Sequence, residues 1–573
     1  MTLRKITLAA VIGILALGQI PVYAQTAAKG AFTGEQYKKA LWMITRFYGA
    51  QRDGVGPNWL LMDHTYKTSF LRDGETDGID LVGGWFDCGD NVLFGQTFFY
   101  TAYMLAKAYE VFPTGFHDLY NGGGWKVEDS YKDYAESKDW SMEGGKPNGI
   151  PDLLEELKYA TDWIIKATPN ASTFYYQKGR AKGDGGDHNL WVTSGYKATL
   201  SREDGGEKDT PRPVKKNPDG PGKASYAAAA LAVMARIYEK YDAAYADSCL
   251  IHAKNAYNYA KSKKGGNGGS TISGCCYDPF PKNKSDIMFH IAAAEMYKTT
   301  GETAYMSDMS KEPVNFHNWG FDYANPHDLA AYISATESAQ NRQEHLENMQ
   351  TKFIKEYTAS NKINSEGVNT HGNVWGAVRY VGNHAFSVAL YSHAAGTDEY
   401  DQFIYNQIDY ILGKNSKNYS FLVGFDDRGP QMPASGGMAS KPHHRNVFLN
   451  DNLDNGSNFP EEVINARNIP ERNRYFGYMV GGHRNPEMYK DDIFNFESTE
   501  GGLDYQAGFA GALAYIVSKS TVPADTSKFG PPPQSISSKN AANAKRNIGI
   551  SVRRDAVTFT AAQSNAISEV GIY

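Results

Sequence analysis

The chain has 573 residues, 41% of them hydrophobic and 21% charged, enough to bury one large core with room for a smaller appendage. Its formal net charge of −6 comes without any concentrated run of Lys and Arg, so nucleic acid is not expected as a partner. The cysteines Cys88, Cys249, Cys275 and Cys276 permit three pairings, which the sequence leaves open; they are too few and irregular for a disulfide framework, and no pair of C-x-x-C motifs offers a zinc site.

In chain order, MTLRKITLAAVIGILALGQIPVYAQ reads as a basic start (Arg4, Lys5), an apolar run from Ile6 to about Ile20, and a small-x-small cleavage site at Val22-Tyr23-Ala24. Residues 1–24 are therefore expected to be a signal peptide, and the protein to be secreted or held at the cell surface. No later segment offers about 18 uninterrupted apolar residues, so no membrane span is expected in the mature chain. Helical periodicity then recurs without intervening strand patterns. It is clear in Phe98, Ala102, Leu105, Tyr109 and Phe112, in Leu153, Leu157, Ala160 and Ile164 behind Pro151, and in Leu231, Met234, Tyr238 and Tyr241. Further helices are expected near 33–50, 243–262, 286–299, 327–357, 372–395, 398–412 and 505–518, roughly a dozen in all. Between them run long Gly-, Asp-, Asn- and aromatic-rich stretches at 51–94, 113–149, 170–223, 264–284 and 413–500. Loops of that length in a compact domain usually carry function. A catalytic domain over 25–519 would be followed by a Pro/Ser/Asn-rich linker at 520–546 and a partial β-like module at 547–573.

The stretch GGWFDCGD places Asp87 and Asp90 three residues apart in a glycine-rich loop. By itself such a pair is more often a turn or a cation ligand than a catalytic device. Glycosidic bond cleavage, however, needs one acid to protonate the leaving oxygen and one carboxylate on the other face.

The segment GGWFDCGDNVLFGQTFFYTAYMLA resembles the one in glycoside hydrolase family 9 cellulases that carries G-G-W-[YF]-D-A-G-D before a helix. NGIPDLLEELKYATDWIIK, NVWGAVRYVGNHAFSVAL, YNQIDYILGKN, KPHHR and TEGGLDYQAGFAGALA resemble further family segments in the same order, together covering about residues 34 to 518. The resemblance implies an all-α fold, an (α/α)6 barrel of six helical hairpins with long functional loops, acting on β-1,4-glucan (cellulose and soluble cellulose derivatives) with inversion. It further implies Asp90 as catalytic base, Asp87 as the carboxylate that helps to hold the water, and Glu500 as general acid. It places Trp319, Trp375, Tyr380 and Tyr505 at sugar subsites and His443 and Arg445 on sugar hydroxyls near the cleavage point. Two aspartates on one loop can together accept both hydrogens of a water, and inversion calls for base and acid roughly 6.5–9.5 Å apart. Glu500 would need a raised pKa to stay protonated near neutrality.

No cofactor is required for this chemistry. Where family members carry an acidic calcium-binding stretch, the chain reads PGKASYAAAA, with Lys223, Ala224 and Ala228 in place of Ser, Asp and Glu; the usual structural calcium site is expected to be lost, while the many other Asp residues leave structural calcium open at a different site. Asp184, Asp187 and His188 in GDGGDHNLW are open to two readings, metal ligands or, more commonly for such a loop, a hydrogen-bonded turn. Cys88, Gly501-Gly502 and Ile493 depart from the family pattern without removing a carboxylate. The rival readings are the same fold acting on mixed-linkage glucan or xyloglucan, or releasing short products processively, and a non-catalytic glucan-binding or adhesion protein.

Overall fold

The computed structural model describes residues 30–56, 68–118, 148–180, 186–188, 193–266, 277, 280–309, 320–337, 341–425, 433, 436–445, 477–520, and two strands at 548–553 and 556–561. Residues 1–24, Asp184, Cys275, Cys276, Trp319 and nearly all of the expected linker lie outside the described residues; Cys88 and Cys249 are free thiols.

The helices in chain order are α1 (Gly34–Ala50), α2 (Gly95–Val111), α3 (Asp152–Ala167), α4 (Ser194–Thr199), α5 (Gly222–Tyr238), α6 (Ala243–Ser262), α7 (Lys282–Thr300), α8 (Thr303–Asp308), α9 (His327–Glu337), α10 (Arg342–Met349), α11 (Ala377–Ala395), α12 (Asp401–Leu412), α13 (Phe496–Thr499) and α14 (Leu503–Lys519). A π-helical turn, Gln350–Ile354, and a last turn, Lys355–Thr358, continue α10. Six of these close a ring by neighbour packing: α2 against α5, α5 against α7, α7 against α9, α9 against α11, α11 against α14, and α14 back against α2. Around it α1, α3, α6, α8, α10 and α12 form the outer layer, each packed on inner helices next to it in sequence or space. This is the (α/α)6 barrel that the resemblance implies.

Composition decides the layer. In α5 the run AAAALAVMA is apolar on every side and buried throughout, which suits a helix with neighbours all round. In α3, Leu153, Leu157, Ala160 and Ile164 are buried while Glu155, Lys158 and Asp162 are not, the one-sided pattern of an outer helix. Thr33 starts α1 with a reciprocal capping box, its hydroxyl accepting from Gln36 N and its own N–H bonding Gln36 Oε1 at 2.9 Å. The helix expected from residue 372 begins only at Ala377. Gly376 sits at φ +58, and a Cβ there would lie 2.6 Å from the Tyr505 ring, so the segment before α11 folds over that ring instead of continuing the helix.

One element escapes the periodicity. Strands β1 (Leu93–Phe94), β2 (Tyr175–Lys178) and β3 (Val214–Lys216) form an antiparallel sheet with Leu93 opposite Lys178 and Phe94 opposite Gln177. Strands of two to four residues are too short to show an alternating pattern, yet this sheet ties the start of α2, and with it the Asp87–Asp90 loop, to distant chain. A parallel pair, β4 (Tyr419–Ser420) and β5 (Gly437–Met438), lies within the long 413–500 stretch, and β6 (Ile548–Arg553) and β7 (Ala556–Ala561) pair antiparallel near the C-terminus.

Helices α11 and α14 approach closely: a Cβ on Gly508 would lie 2.7 Å from the Asn383 Cα and one on Gly382 3.0 Å from the Phe509 nitrogen. Gly508→Ala is therefore expected to destabilise the protein by about 1–3 kcal/mol, read as a lower midpoint in urea unfolding. An unchanged midpoint would show that the two helices separate freely.

Candidate active site

The loop from Asp87 to Asn91 is held by its backbone. Asp87 donates its N–H to the Val92 carbonyl at 2.9 Å and accepts from the Leu503 N–H at 2.9 Å, which fastens the loop to the first turn of α14. The next four carbonyls all turn into the protein. Cys88 O accepts from Gln51 Nε2 at 2.6 Å and Arg445 Nη1 at 3.3 Å, and Gly89 O from the Arg445 backbone N–H at 2.8 Å. Asp90 O accepts from Arg445 Nη1 at 2.7 Å and Asn91 O from Arg212 Nη1 at 2.8 Å. Both arginines are fully buried. Arg212 is neutralised by Asp53 and Asp73, and Lys178 joins them at 2.7 and 3.0 Å while donating to the carbonyls of Leu81 and Gly83.

With its carbonyls turned inward, the loop gathers its carboxyl groups together. Asp87 accepts from the Thr97 hydroxyl on one oxygen, and from Tyr277 at 2.5 Å and the Cys88 thiol at 3.1 Å on the other. Three of roughly four acceptor positions are thus filled, leaving about one for a water. Asp90 accepts from the Val92 N–H at 3.0 Å and, through Oδ2, lies 2.5 Å from His188 Nδ1. Glu500 follows α13 directly, and its Oε1 accepts from the Gly89 N–H at 3.4 Å, so the acid from near the end of the barrel reaches the aspartate loop. The Glu500 carbonyl accepts from Gly481 at 2.7 Å, and the next residue, Gly501, donates to Tyr478 at 2.7 Å.

Proximity shapes the protonation of this group. Burial first, then the charges of Asp90 and Asp87, push the Glu500 carboxyl up to about 8. Burial and Asp90 push Asp87 up to about 7. His188 is raised although burial opposes it, because its hydrogen bond and charge interaction with Asp90 outweigh the burial. Near neutrality the arrangement can therefore hold a protonated Glu500 carboxyl beside the aspartate loop, as a general acid requires.

The other expected site residues fall in several places. Trp375 is 42% exposed and rests on the ring of Phe496, itself 44% exposed, at 5.3 Å; the His443 ring lies 5.8 Å beyond. Phe496, one turn ahead of Glu500, is a surface the sequence reading missed. Tyr505 is buried under Gly376, and Tyr380 is buried with its hydroxyl between Arg379 and Asp322. Arg379 also pairs with Asp504 at 3.1 Å. His443 is buried, its Nδ1 2.5 Å from the Ile493 carbonyl. Arg445, expected on sugar hydroxyls, has its guanidinium turned inward onto the carbonyls of Ala50, Cys88 and Asp90, so the contact found is with the loop that carries the aspartates. Thr97, Tyr277, Arg212 and Gln51 were also missed. Thr97, in the first turn after the motif, carried a local signal, while the others approach from remote loops.

The GDGGDHNLW loop forms a hydrogen-bonded turn at its described positions. Asp187 pairs with Lys197 at 2.8 Å, accepts from the Arg180 N–H at 2.6 Å, and offers its carbonyl to Asn91 at 3.1 Å. Among the described residues no group of three or more His, Cys, Asp and Glu is placed to hold a metal ion. The stretch corresponding to the family's calcium site does not fit one: Lys223 puts a buried amino group near the rings of Tyr176 and Phe280, and Ala224 and Ala228 carry no side-chain oxygen.

The family model for glycosyl hydrolase family 9 matches residues 37–513. The chain belongs to glycosyl hydrolase family 9. Endoglucanase A of Fibrobacter succinogenes is 35% identical over 443 residues, covering 75% of this chain and 90% of that one. Endoglucanase A of Bacillus pumilus is 26% identical over 504 residues, covering 84% of this chain and 66% of that one. In fold, the cellulase Cel9M of C. cellulolyticum superposes with a TM-score of 0.63 at 24% identity, over 84% of this chain and 98% of that one. CelQ of Clostridium thermocellum, solved with cellotetraose, gives 0.64 at 22%, over 87% and 73%. As a family 9 member the protein is a glycoside hydrolase on an (α/α)6 barrel.

A carboxyl whose folded pKa is raised supports the fold fully below its unfolded value, near 4.5 for Glu500, and loses that support as pH rises through about 8. Replacing it by a neutral amide removes the loss. The unfolding free energy of Glu500→Gln, read from urea melts, should therefore gain on that of the unaltered protein from about pH 5 to about pH 8, by on the order of a few kcal/mol at the alkaline end. A difference independent of pH would mean that the carboxyl is not held protonated.

Proposed function

We propose that the protein is an exported endo-β-1,4-glucanase that hydrolyses cellulose-type β-glucan with inversion, with Asp90 as base, Asp87 helping to hold the water, and Glu500 as general acid. The observation that carries this reading is the meeting of Glu500 with the Asp87–Asp90 loop through the Gly89 N–H, with the Glu500 carboxyl raised to about 8. The endoglucanase relatives support the substrate class, and the basic, apolar, small-x-small N-terminus supports export.

In this mechanism a water bridges Asp90 and the remaining acceptor position of Asp87. As its oxygen attacks the anomeric carbon, its proton passes to Asp90, the glycosidic C–O bond breaks, and the departing oxygen takes the proton of Glu500. His188 fixes one oxygen of Asp90, leaving the carboxylate oriented toward the water. Thr97, Tyr277 and Cys88 fix Asp87 in the same way.

Proton NMR of cellopentaose within minutes of mixing should show the α-anomer at the new reducing end; a dominant β-anomer would demand a covalent nucleophile instead. Glu500→Gln should lower kcat roughly 10²–10⁴-fold while polymer binding persists. In the unaltered protein, activity should fall as pH rises through about 8, where Glu500 loses its proton. Full activity of Glu500→Gln on glucan would remove it as the acid.

A further inference from the structure

We propose that a polar pocket beside Tyr380, between Gly320 and the 361–372 loop, is an additional sugar subsite that takes a pyranose unit of the β-glucan main chain beyond those bound at the carboxyl groups. The proposal rests on the β-glucanase reading above. The pocket has a volume of about 460 Å3 and is lined among others by Gly320, Asn361, Lys362, Thr370, His371 and Arg484, a size suited to a small ligand. Its chemistry is that of hydroxyl recognition: an amide, a hydroxyl, and charged groups of both signs set around a ring. Lys362 pairs with Glu356 at 2.8 Å, both partly exposed. Arg484 spends one nitrogen on the Gly372 carbonyl at 3.2 Å and is otherwise exposed. The Asn361 amide and Thr370 hydroxyl have no side-chain hydrogen bond among the described residues.

The backbone points the same way. His371 holds φ +55, the left-handed region that a non-glycine residue adopts at a cost, and such outliers gather where a ligand is to be positioned. This conformation lays its ring against Tyr380, with centroids 5.3 Å apart and planes at 34°. Gly320 lets the wall close over both rings, since a Cβ there would stand 3.0 Å from Tyr380 and 3.2 Å from His371. Burial pushes the His371 imidazole below its usual range, which favours its neutral form, a flat face of the kind that packs on a sugar.

Packed side chains and a short stretch of chain link the pocket to the site. Tyr380 bonds Arg379 at 2.9 Å, Arg379 pairs with Asp504, and Asp504 stands in the first turn of α14 just beyond Glu500. Gly372 of the lining is three residues from Trp375, at most about 11 Å along the chain, and Trp375 rests on Phe496 ahead of the acid. A glucan passing over Phe496 and Trp375 is thereby led toward the pocket.

The test is calorimetric binding of cellotriose and cellohexaose to Glu500→Gln, alone and combined with Arg484→Ala or Asn361→Ala, two exposed positions outside the catalytic group. Cellohexaose should bind more tightly than cellotriose, and each added substitution should weaken cellohexaose about tenfold, as loss of a hydrogen bond to or from a charged or forked group does, while leaving cellotriose unchanged. No advantage for the longer chain, equal losses at both lengths, or unaltered cellohexaose binding in both variants would overturn the proposal. So would a response confined to a branched xyloglucan oligosaccharide, which would assign the pocket to a side chain of the polymer. If neither oligosaccharide binds and the unaltered protein cleaves none, the glucanase reading falls as well. If cleavage persists and only the length advantage is missing, the pocket proposal alone falls.

Discussion

Two buried guanidinium groups hold the loop on which the site is built. Arg445 and Arg212 between them take the carbonyls of Cys88, Asp90 and Asn91, and the Arg445 backbone takes that of Gly89. Burying a cation costs several kcal/mol unless it is matched by charge or by hydrogen bonds. Arg212 is matched by charge, in a quartet with Asp53, Asp73 and Lys178, whereas Arg445 donates to carbonyl and amide oxygens and stands over the Phe86 ring at 4.3 Å. The outcome is a loop whose dipoles are spent on the interior and whose carboxyl groups are left to one another.

Those carboxyl groups have little compensation of their own. Asp87, Asp90 and Glu500 gather with His188 beside Asp90 at 2.5 Å, and the repulsion appears as raised pKa values for Asp87 and Glu500 and a raised histidine. This is the usual trade between stability and function. The surrounding donors, Thr97, Tyr277, Cys88, Val92 N–H and Gly89 N–H, soften the repulsion without supplying charge, so a proton can stay on one member while another remains free to accept one.

The barrel supplies the rigidity this requires. α2 and α14 are inner-ring neighbours, and the first carries Thr97 while the second begins just after Glu500. Because the bond from Leu503 to Asp87 joins the start of α14 to the loop that leads into α2, acid and aspartate loop are referred to the same pair of packed helices. The exposed aromatic surface of Trp375 and Phe496 is tied in by a further bond, from Gly376 N–H to the Glu497 carbonyl at 2.9 Å. Loops that are long in sequence are thus short in their effective reach.

Much of this was legible in the chain. Helical periodicity reports local burial, so it located the helices and, in α3, the buried face; the spacing of Asp87 and Asp90 and the collinear family motifs marked out the carboxyl groups. What periodicity could not report is any contact made once. Tyr277 reaches Asp87 across 190 residues and Arg445 reaches Asp90 across 355, and neither has a pattern around it that says where its side chain will turn. KPHHR accordingly read as a sugar-binding cluster, while in the fold its arginine supports a backbone; β1, β2 and β3 were invisible because two to four residues are too few for an alternation to repeat. The sequence by itself determined which segments are helical, which helices can be buried on all sides, and which carboxyl groups the chain carries. The tertiary structure alone decided which donors surround those groups and how readily each gives up its proton, because burial and charge proximity are properties of the assembled site and not of any residue in it.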